Sequence, residues 1–209
     1  MNRKDLILYA ITDRKWLGEE KSLKEAVKEA IEGGATMIQL REKKIDFNGF
    51  IEIAKEIKQV TDKYRVPLII NDNVEVALAV DASGVHVGQE DLEAGEVRKK
   101  IGPEKILGVT AKTVEQAKAA EKAGADYLGT GALFPSPSKK NAIPVTKETL
   151  NAVCDAVSIP VVGIGGIDES NIESIKDTKI VGVAVISGIF AKKDIKKAAQ
   201  TLRSLWEKE

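Results

Sequence analysis

One cysteine and one histidine stand among the 209 residues. A single thiol forms no internal disulfide, so a disulfide framework is excluded and a cytoplasmic setting is expected. One histidine and one cysteine also supply too few ligands for an ordinary zinc site. Charge of one sign is missing as well, because 32 Lys plus Arg balance 32 Asp plus Glu. No global field steers the chain to nucleic acid or to an anionic membrane, so an anionic ligand must be met by a local cluster. No apolar run approaches the ~20 residues needed to span a bilayer. The start, Met1-Asn2-Arg3-Lys4-Asp5, has no long apolar signal core. Cys154 lies among Ala152, Val153, Ala156 and Val157. That setting reads as a packed small side chain rather than an activated thiol.

What is present is a repeating alternation. Short apolar stretches without polar alternation fall at 6–12, 37–40, 67–70, 84–87, 106–110, 127–130, 160–164 and 182–186. Such runs read as strands buried on both faces, as in a parallel sheet. Helical patterns separate them. Ser22 followed by Glu25 makes a capping box for the segment beginning at Leu23, and Gly33-Gly34 stops it. Thr113 to Asp126 repeats the design, with Gly124 as the stop. The length suits one domain, residues 1–209, without a composition break. Eight strand-then-helix units predict an α/β fold, a single (β/α)8 TIM barrel. The rival, an open doubly wound sheet, usually carries a glycine-rich turn after its first strand, and here Thr12-Asp13-Arg14-Lys15-Trp16 follows.

In such a barrel the chemistry sits just beyond the carboxyl ends of the strands. After the second come Gln39, Arg41 and Lys43, which alternation places on one side. An amide and two cations suit a polar ring with phosphates, Arg as a bidentate grip and Lys as a point charge. The third strand stops at Asn71-Asp72, and Asp91 follows the fourth. Asn71 and Asp72 read equally as a helix cap or as site residues. The two readings are compatible, since one carboxylate oxygen can cap while the other binds a cation. Two carboxylates at one rim suit Mg2+, which takes oxygen ligands and keeps waters and phosphates. His86, inside the fourth strand, reads as a packed barrel residue rather than a catalyst. Thr110, ending the fifth, offers a hydroxyl to an oxyanion or a cap to a helix.

After the sixth strand, residues 131–142 carry Ser136, Pro137, Ser138 and Lys139 in a long irregular stretch. It reads as a lid that orders over ligand, or as a plain surface loop. After the last two strands come Gly163-Ile164-Gly165-Gly166-Ile167 and Ile186-Ser187-Gly188. Glycine lets backbone N–H groups approach an anion, and barrels commonly bind phosphate at this position. One face therefore offers two anion sites, one cationic and one built of backbone.

These segments carry a resemblance. Leu8-Tyr9-Ala10-Ile11-Thr12-Asp13, Gln39-Leu40-Arg41-Glu42-Lys43, Ile70-Asn71-Asp72, Val85-His86-Val87-Gly88-Gln89-Glu90-Asp91, Gly131-Ala132-Leu133-Phe134-Pro135, the glycine loop and Ile186-Ser187 occur in order over nearly the whole chain. The sequence resembles the thiamine-phosphate synthase family. The resemblance implies a transferase of thiamine biosynthesis. It couples a hydroxymethylpyrimidine diphosphate to a thiazole ethyl phosphate and releases pyrophosphate. It further implies that Gln39, Arg41, Lys43 and Asn71 hold the pyrimidine diphosphate, with Thr110 and Lys139 reaching it. Asp72 and Asp91 would bind Mg2+. Ser136 and Ser138, with the backbone at Gly166, Ile186 and Ser187, would meet the thiazole phosphate. Two phosphorylated small molecules are the implied partners, with homo-oligomers possible and no nucleic acid or membrane. The chain departs from the family in having Thr110 where Ser is usual, and Ser136-Pro137-Ser138-Lys139 where Thr-x-Thr-Lys is usual. Each departure keeps a hydroxyl. The related thiazole tautomerase, and a non-catalytic phosphate-binding barrel, share the glycine loops but have no reason to keep Lys43, Asp72 and Asp91 together.

Overall fold

The structure, a computed structural model, describes residues 1–18, 21–136 and 144–208. Eight parallel strands close into a barrel in chain order. They are β1 (Leu8–Ile11), β2 (Met37–Leu40), β3 (Leu68–Asn71), β4 (Gly84–Val87), β5 (Ile106–Thr110), β6 (Tyr127–Thr130), β7 (Val161–Ile164) and β8 (Gly182–Val185). β8 pairs back onto β1, with Tyr9 opposite Ala184. The ends expected from sequence shift by one or two residues at β1, β3, β7 and β8. The (β/α)8 barrel is the fold, and the open sheet is excluded.

The helices are α1 (Leu23–Glu32), α2 (Phe47–Tyr64), α3 (Val74–Ala79), α4 (Ala94–Ile101), α5 (Val114–Lys122), α6 (Lys147–Ala156), α7 (Ser187–Phe190) and α8 (Ile195–Glu207). α1 begins with the expected capping box: the Glu25 N–H donates to Ser22 Oγ at 3.1 Å, and the Ser22 N–H donates to Glu25 at 3.0 Å. α2 and α3 start on Asp46 and Asn73. The seventh connection departs from the expected helix and makes only a 3-10 turn, Ile172–Ile175. Its sequence offers two buried anchors, Ile172 and Ile175. Asp168 meanwhile takes the Ser170 backbone N–H at 2.8 Å. A polar side chain that satisfies backbone locally competes with helix formation.

Two cores result. The larger lies between strands and helices, as around Ile38, Phe50, Ile57 and Leu68. The smaller fills the barrel, with Tyr9, Ile11, Met37, Ile69, Tyr127, Val162 and Ala184 pointing inward. These alternate along their strands with outward residues, as the two-residue period requires. The inner core is not purely apolar. His86, 8% exposed, lies within it. Burial pushes its imidazole down to about 4, with the charge of Asp72 partly opposing.

That shift sets a pH dependence. An unfolded His titrates near ~6.5, so below that pH the unfolded chain takes a proton that the native chain refuses. Stability is complete above ~6.5 and falls with pH toward the folded value, by about 2 kcal/mol at pH ~5. Urea unfolding at a series of pH values reads this slope. His86→Gln, less stable throughout, is expected to lack that component of the slope. An identical slope in the variant would remove His86 as its source.

Candidate active site

The described residues singled out above lie at the carboxyl ends of the strands or in the loops just beyond them, and Gln39 lies deeper, inside the barrel. β2 places Gln39 inward and almost fully buried, at 2% exposure. Its amide donates to the Tyr9 hydroxyl at 2.6 Å. Two residues on, Arg41 is half-buried and lies 3.7 Å from Asp13, a buried carboxylate just beyond β1. Asp13 also accepts Lys15 at 3.3 Å. The Arg41 backbone N–H donates to Thr12 Oγ1 at 3.0 Å, fixing the loop that carries the guanidinium. Lys43 reaches across to β3 and meets Asp72 Oδ2 at 2.9 Å. The pair is open to solvent, so its strength as a bond is small. Its meaning is placement, a cation and a carboxylate held together at the rim.

Asp72 has φ +63°, a left-handed conformation that Asp and Asn tolerate better than most residues. Its N–H donates to the His86 carbonyl at 2.8 Å, joining the rim to β4. The capping reading of Asn71 and Asp72 is corrected. Asn73 caps α3, accepting the Val76 N–H at 2.9 Å, which leaves Asp72 facing the mouth. Asp91 is held by its own loop, where Oδ2 accepts the Gly88 N–H at 2.6 Å. Desolvation raises the Asp91 carboxyl above its ordinary value, and the neighbouring Asp72 carboxylate raises it further, against Gly88 and Lys43. A carboxylate whose proton affinity is raised by a second carboxylate beside it marks a place where a divalent cation relieves repulsion.

Thr110 closes this side of the mouth. The capping alternative fails, since Thr113 caps α5 through the Gln116 N–H at 3.3 Å. The Thr110 hydroxyl lies 3.0 Å from His86 Nε2, and its carbonyl accepts the Gln89 amide at 2.6 Å. His86 is packed, as expected, yet both its nitrogens are engaged, Nδ1 with the Tyr127 hydroxyl at 3.0 Å. Tyr9, Asp13 and Tyr127 are the neighbours that the sequence reading assigned no role. Tyr9 and Asp13 stood inside a motif, and a tyrosine in an otherwise apolar strand was the signal available for both rings.

The opposite side is built of backbone. Gly165 and Gly166 have φ +99° and +65°. With Ser136, Ile186 and Ser187 they line a concavity of about 240 Å3, its open mouth included. α7 begins there at Ser187, and its N-cap residue, Ile186, makes no side-chain capping bond. The first part of the loop after β6 is stitched to β7, Leu133 N–H to Ile164 at 3.0 Å and Phe134 N–H to Gly165 at 3.0 Å. Ser138 and Lys139, and residues 137–142 of the expected lid, lie outside the described residues. Cys154, on α6, is half-buried rather than fully so, and burial, aided by Asp155, pushes its thiol up to about 11. A thiol so rarely ionised near neutrality is a poor nucleophile.

Among the described residues, no helix is long and apolar enough to cross a membrane. The family model described as thiamine monophosphate synthase matches residues 8–189. A thiamine-phosphate synthase of Clostridium tetani is 54% identical over 198 residues, covering 95% of this chain and 94% of the relative. One from Ruminiclostridium cellulolyticum is 52% identical over 202 residues, covering 97% and 96%. Among solved structures, a thiamine phosphate pyrophosphorylase from Pyrococcus furiosus superposes with a TM-score of 0.90 at 41% identity, covering 98% of this chain and 97% of that one. The match runs from the first strand of the barrel to the helix after the last and takes in both sides of the mouth, and on that breadth the chain belongs to the thiamine monophosphate synthase family.

Proposed function

We infer that this chain is a thiamine-phosphate synthase, with diphosphate chemistry at the β2–β4 side of its mouth and thiazole phosphate at the β7–β8 side. The observation that carries the assignment of sides is the grouping of Lys43, Asp72 and Asp91 across one mouth from the glycine loop. The substrates are 4-amino-2-methyl-5-(diphosphooxymethyl)pyrimidine and 4-methyl-5-(2-phosphoethyl)thiazole or its carboxylated form. Residues 1–209 act as one catalytic unit.

In this reading Gln39 and Asn71 hold the pyrimidine ring by its edge. Arg41 and Lys43 grip the diphosphate, with Thr110 and Lys139 beside it. Asp72 and Asp91 fit Mg2+, as two carboxylates are a usual protein share for an ion that completes its shell with water and phosphate. When bound, the ion supplies charge stabilisation to a departing diphosphate. Departure of pyrophosphate, by cleavage of its bond to the pyrimidine methylene carbon, leaves a cation that the amino-pyrimidine ring stabilises. The thiazole nitrogen then bonds to that carbon. No side chain need act as nucleophile, which agrees with an inert Cys154. Lys43 exchanges its partner, from the Asp72 carboxylate to diphosphate oxygens. Ser136, Ser138, Gly166, Ile186 and Ser187 fix the thiazole phosphate. Holding both substrates in line turns the coupling into an effectively unimolecular step. A tautomerase or a regulator has no use for the Lys43, Asp72 and Asp91 group.

The test mixes pure protein with both substrates, with and without Mg2+. Thiamine phosphate and pyrophosphate are expected in equal amounts, and only with the metal. A folded protein that forms neither product under any condition sinks the enzyme reading, and product formed equally well in a chelator removes the metal.

A further inference from the structure

Within the barrel a chain of hydrogen bonds runs from β2 to β5. Gln39 Nε2 donates to the Tyr9 hydroxyl at 2.6 Å. The Tyr9 and Tyr127 hydroxyls are 2.8 Å apart. Tyr127 lies 3.0 Å from His86 Nδ1, and His86 Nε2 lies 3.0 Å from Thr110 Oγ1. Its two ends, Gln39 and Thr110, are the groups read above as substrate contacts. The inference rests on that reading. The middle members, Tyr9, Tyr127 and His86, are buried and carry no role of their own in that reading. A glycine makes the room: a Cβ at Gly108 would collide with the Tyr127 hydroxyl and His86 Nδ1. The two rings also meet directly, with centroids 5.5 Å apart.

With the Gln39 nitrogen turned toward Tyr9, the donors and acceptors in this chain can be matched in only one way. Gln39 donates through nitrogen, so the Tyr9 oxygen accepts there. Tyr9 must then spend its own proton on Tyr127, its other hydrogen-bond partner, because a buried hydroxyl proton left without an acceptor carries a desolvation cost. Tyr127 in turn donates to His86 Nδ1. A neutral imidazole that accepts at Nδ1 carries its proton on Nε2, and so donates to Thr110. Thr110 is left with its own proton free for the mouth. Reversing the Tyr9–Tyr127 bond strands a proton at Tyr9, reversing the Tyr127–His86 bond strands one at Tyr127, and reversing the last bond alone leaves the imidazole without its proton.

We propose that Tyr9, Tyr127 and His86 form a polarity relay that positions the pyrimidine site. It keeps the Gln39 oxygen turned away from Tyr9, as an acceptor for an amino group. It keeps the Thr110 hydroxyl as a donor to a ring nitrogen or diphosphate oxygen. The three are positioning residues, and a 4-aminopyrimidine presents the complementary pattern of amino donor and nitrogen acceptor. The relay ties the two sides of the substrate ring to one proton arrangement, so a ring with reversed donors and acceptors is rejected at both ends together.

The single histidine makes the relay directly observable. Nitrogen-15 NMR of histidine-labelled wild-type protein is expected to show one tautomer, protonated on Nε2, and a mixture or an Nδ1–H form overturns the relay without any variant. Tyr127→Phe removes the central link and leaves Gln39 and Thr110 in place. It is expected to mix the His86 tautomers and to raise the KM for the pyrimidine diphosphate about tenfold, the equivalent of one hydrogen bond. The KM for the thiazole phosphate is expected to stay constant. A merely structural tyrosine would lower the unfolding midpoint and leave tautomer and KM ratio alone, and that result overturns the proposal. Gln39→Leu and Thr110→Val serve as the reference. If neither raises the pyrimidine KM, the substrate assignment fails and the relay's role falls with it. If both do and Tyr127→Phe does not, the relay alone is wrong.

Discussion

Asp72→Asn is expected to lower kcat for thiamine phosphate formation by about 10²- to 10³-fold, the usual loss when one group that stabilises developing charge is removed. Asn is chosen for a structural reason. Asp72 sits at φ +63°, where Asn is nearly as comfortable as Asp while Ala carries added strain of about 1 kcal/mol. The substitution therefore removes charge and little else. The bond from the Asp72 N–H to the His86 carbonyl survives, because it is made by backbone. The lost ion pair with Lys43 is open to solvent, its side chains 52% and 30% exposed, and so contributes little to stability. The melting temperature should stay within a degree or two of wild type. The diagnostic is a titration with Mg2+: the rate should stay low and saturate only at much higher metal, if at all. A variant with wild-type rate and unchanged Mg2+ dependence would take Asp72 out of the proposed metal site and leave Asp91 without its proposed partner.

Why the sequence revealed so much of this mouth follows from how a barrel is built. Buried parallel strands must be apolar on both faces, so the first polar residue after each run marks where the strand leaves the core. Asn71 after Leu68, Ile69 and Ile70 is such a mark, and so is Thr110 after Gly108 and Val109. Glycine loops were equally visible, because positive φ at Gly165 and Gly166 is a demand that few other residues meet. What stayed hidden depends on partners distant in the chain. Whether Asp72 or Asn73 capped α3 turned on a backbone torsion at Asp72 that no local pattern records. The pairing of Arg41 with Asp13 joins residues separated by the whole of α1. The Gln39 amide reads as a rim group from strand alternation, yet it is buried and spends a donor on Tyr9. The inner network needed Tyr9 on β1 and Tyr127 on β6 to meet, and only closure of the sheet brings their hydroxyls within 2.8 Å. The 3-10 turn after β7 shows the same limit from the other side. The repeat of strand and helix implies a helix there, and the Asp168 side chain competes with it by taking the Ser170 N–H.

Gly166→Ala is expected to cripple the thiazole-phosphate side while sparing the diphosphate side. Two costs fall on this one methyl group. At φ +65° an L residue is held in the left-handed region, at roughly 1–2 kcal/mol. A Cβ there would also collide with the Pro135 carbonyl oxygen and stand 2.7 Å from that of Phe134. Neither carbonyl can retreat cheaply, since the Leu133 and Phe134 N–H groups are bonded to Ile164 and Gly165 on the adjoining strand end. A backbone clash with no flexible side chain to absorb it places the total near 3 kcal/mol of lost stability, readable as a lower urea midpoint. The relief available is to push residues 134–136 away from β7, which opens the concavity shared by Ser136, Gly166 and Ser187. The KM for thiazole phosphate should then rise by about 10²-fold or more, since a phosphate held by several backbone N–H groups loses them together. Lys43, Asp72 and Asp91 lie on β2–β4 and its loops, so the KM for the pyrimidine diphosphate should move less than about threefold. Single-substrate titrations separate the two effects. Equal losses for both substrates would mean that the mouth fails as one unit, and the division into two anion sites would have to be abandoned.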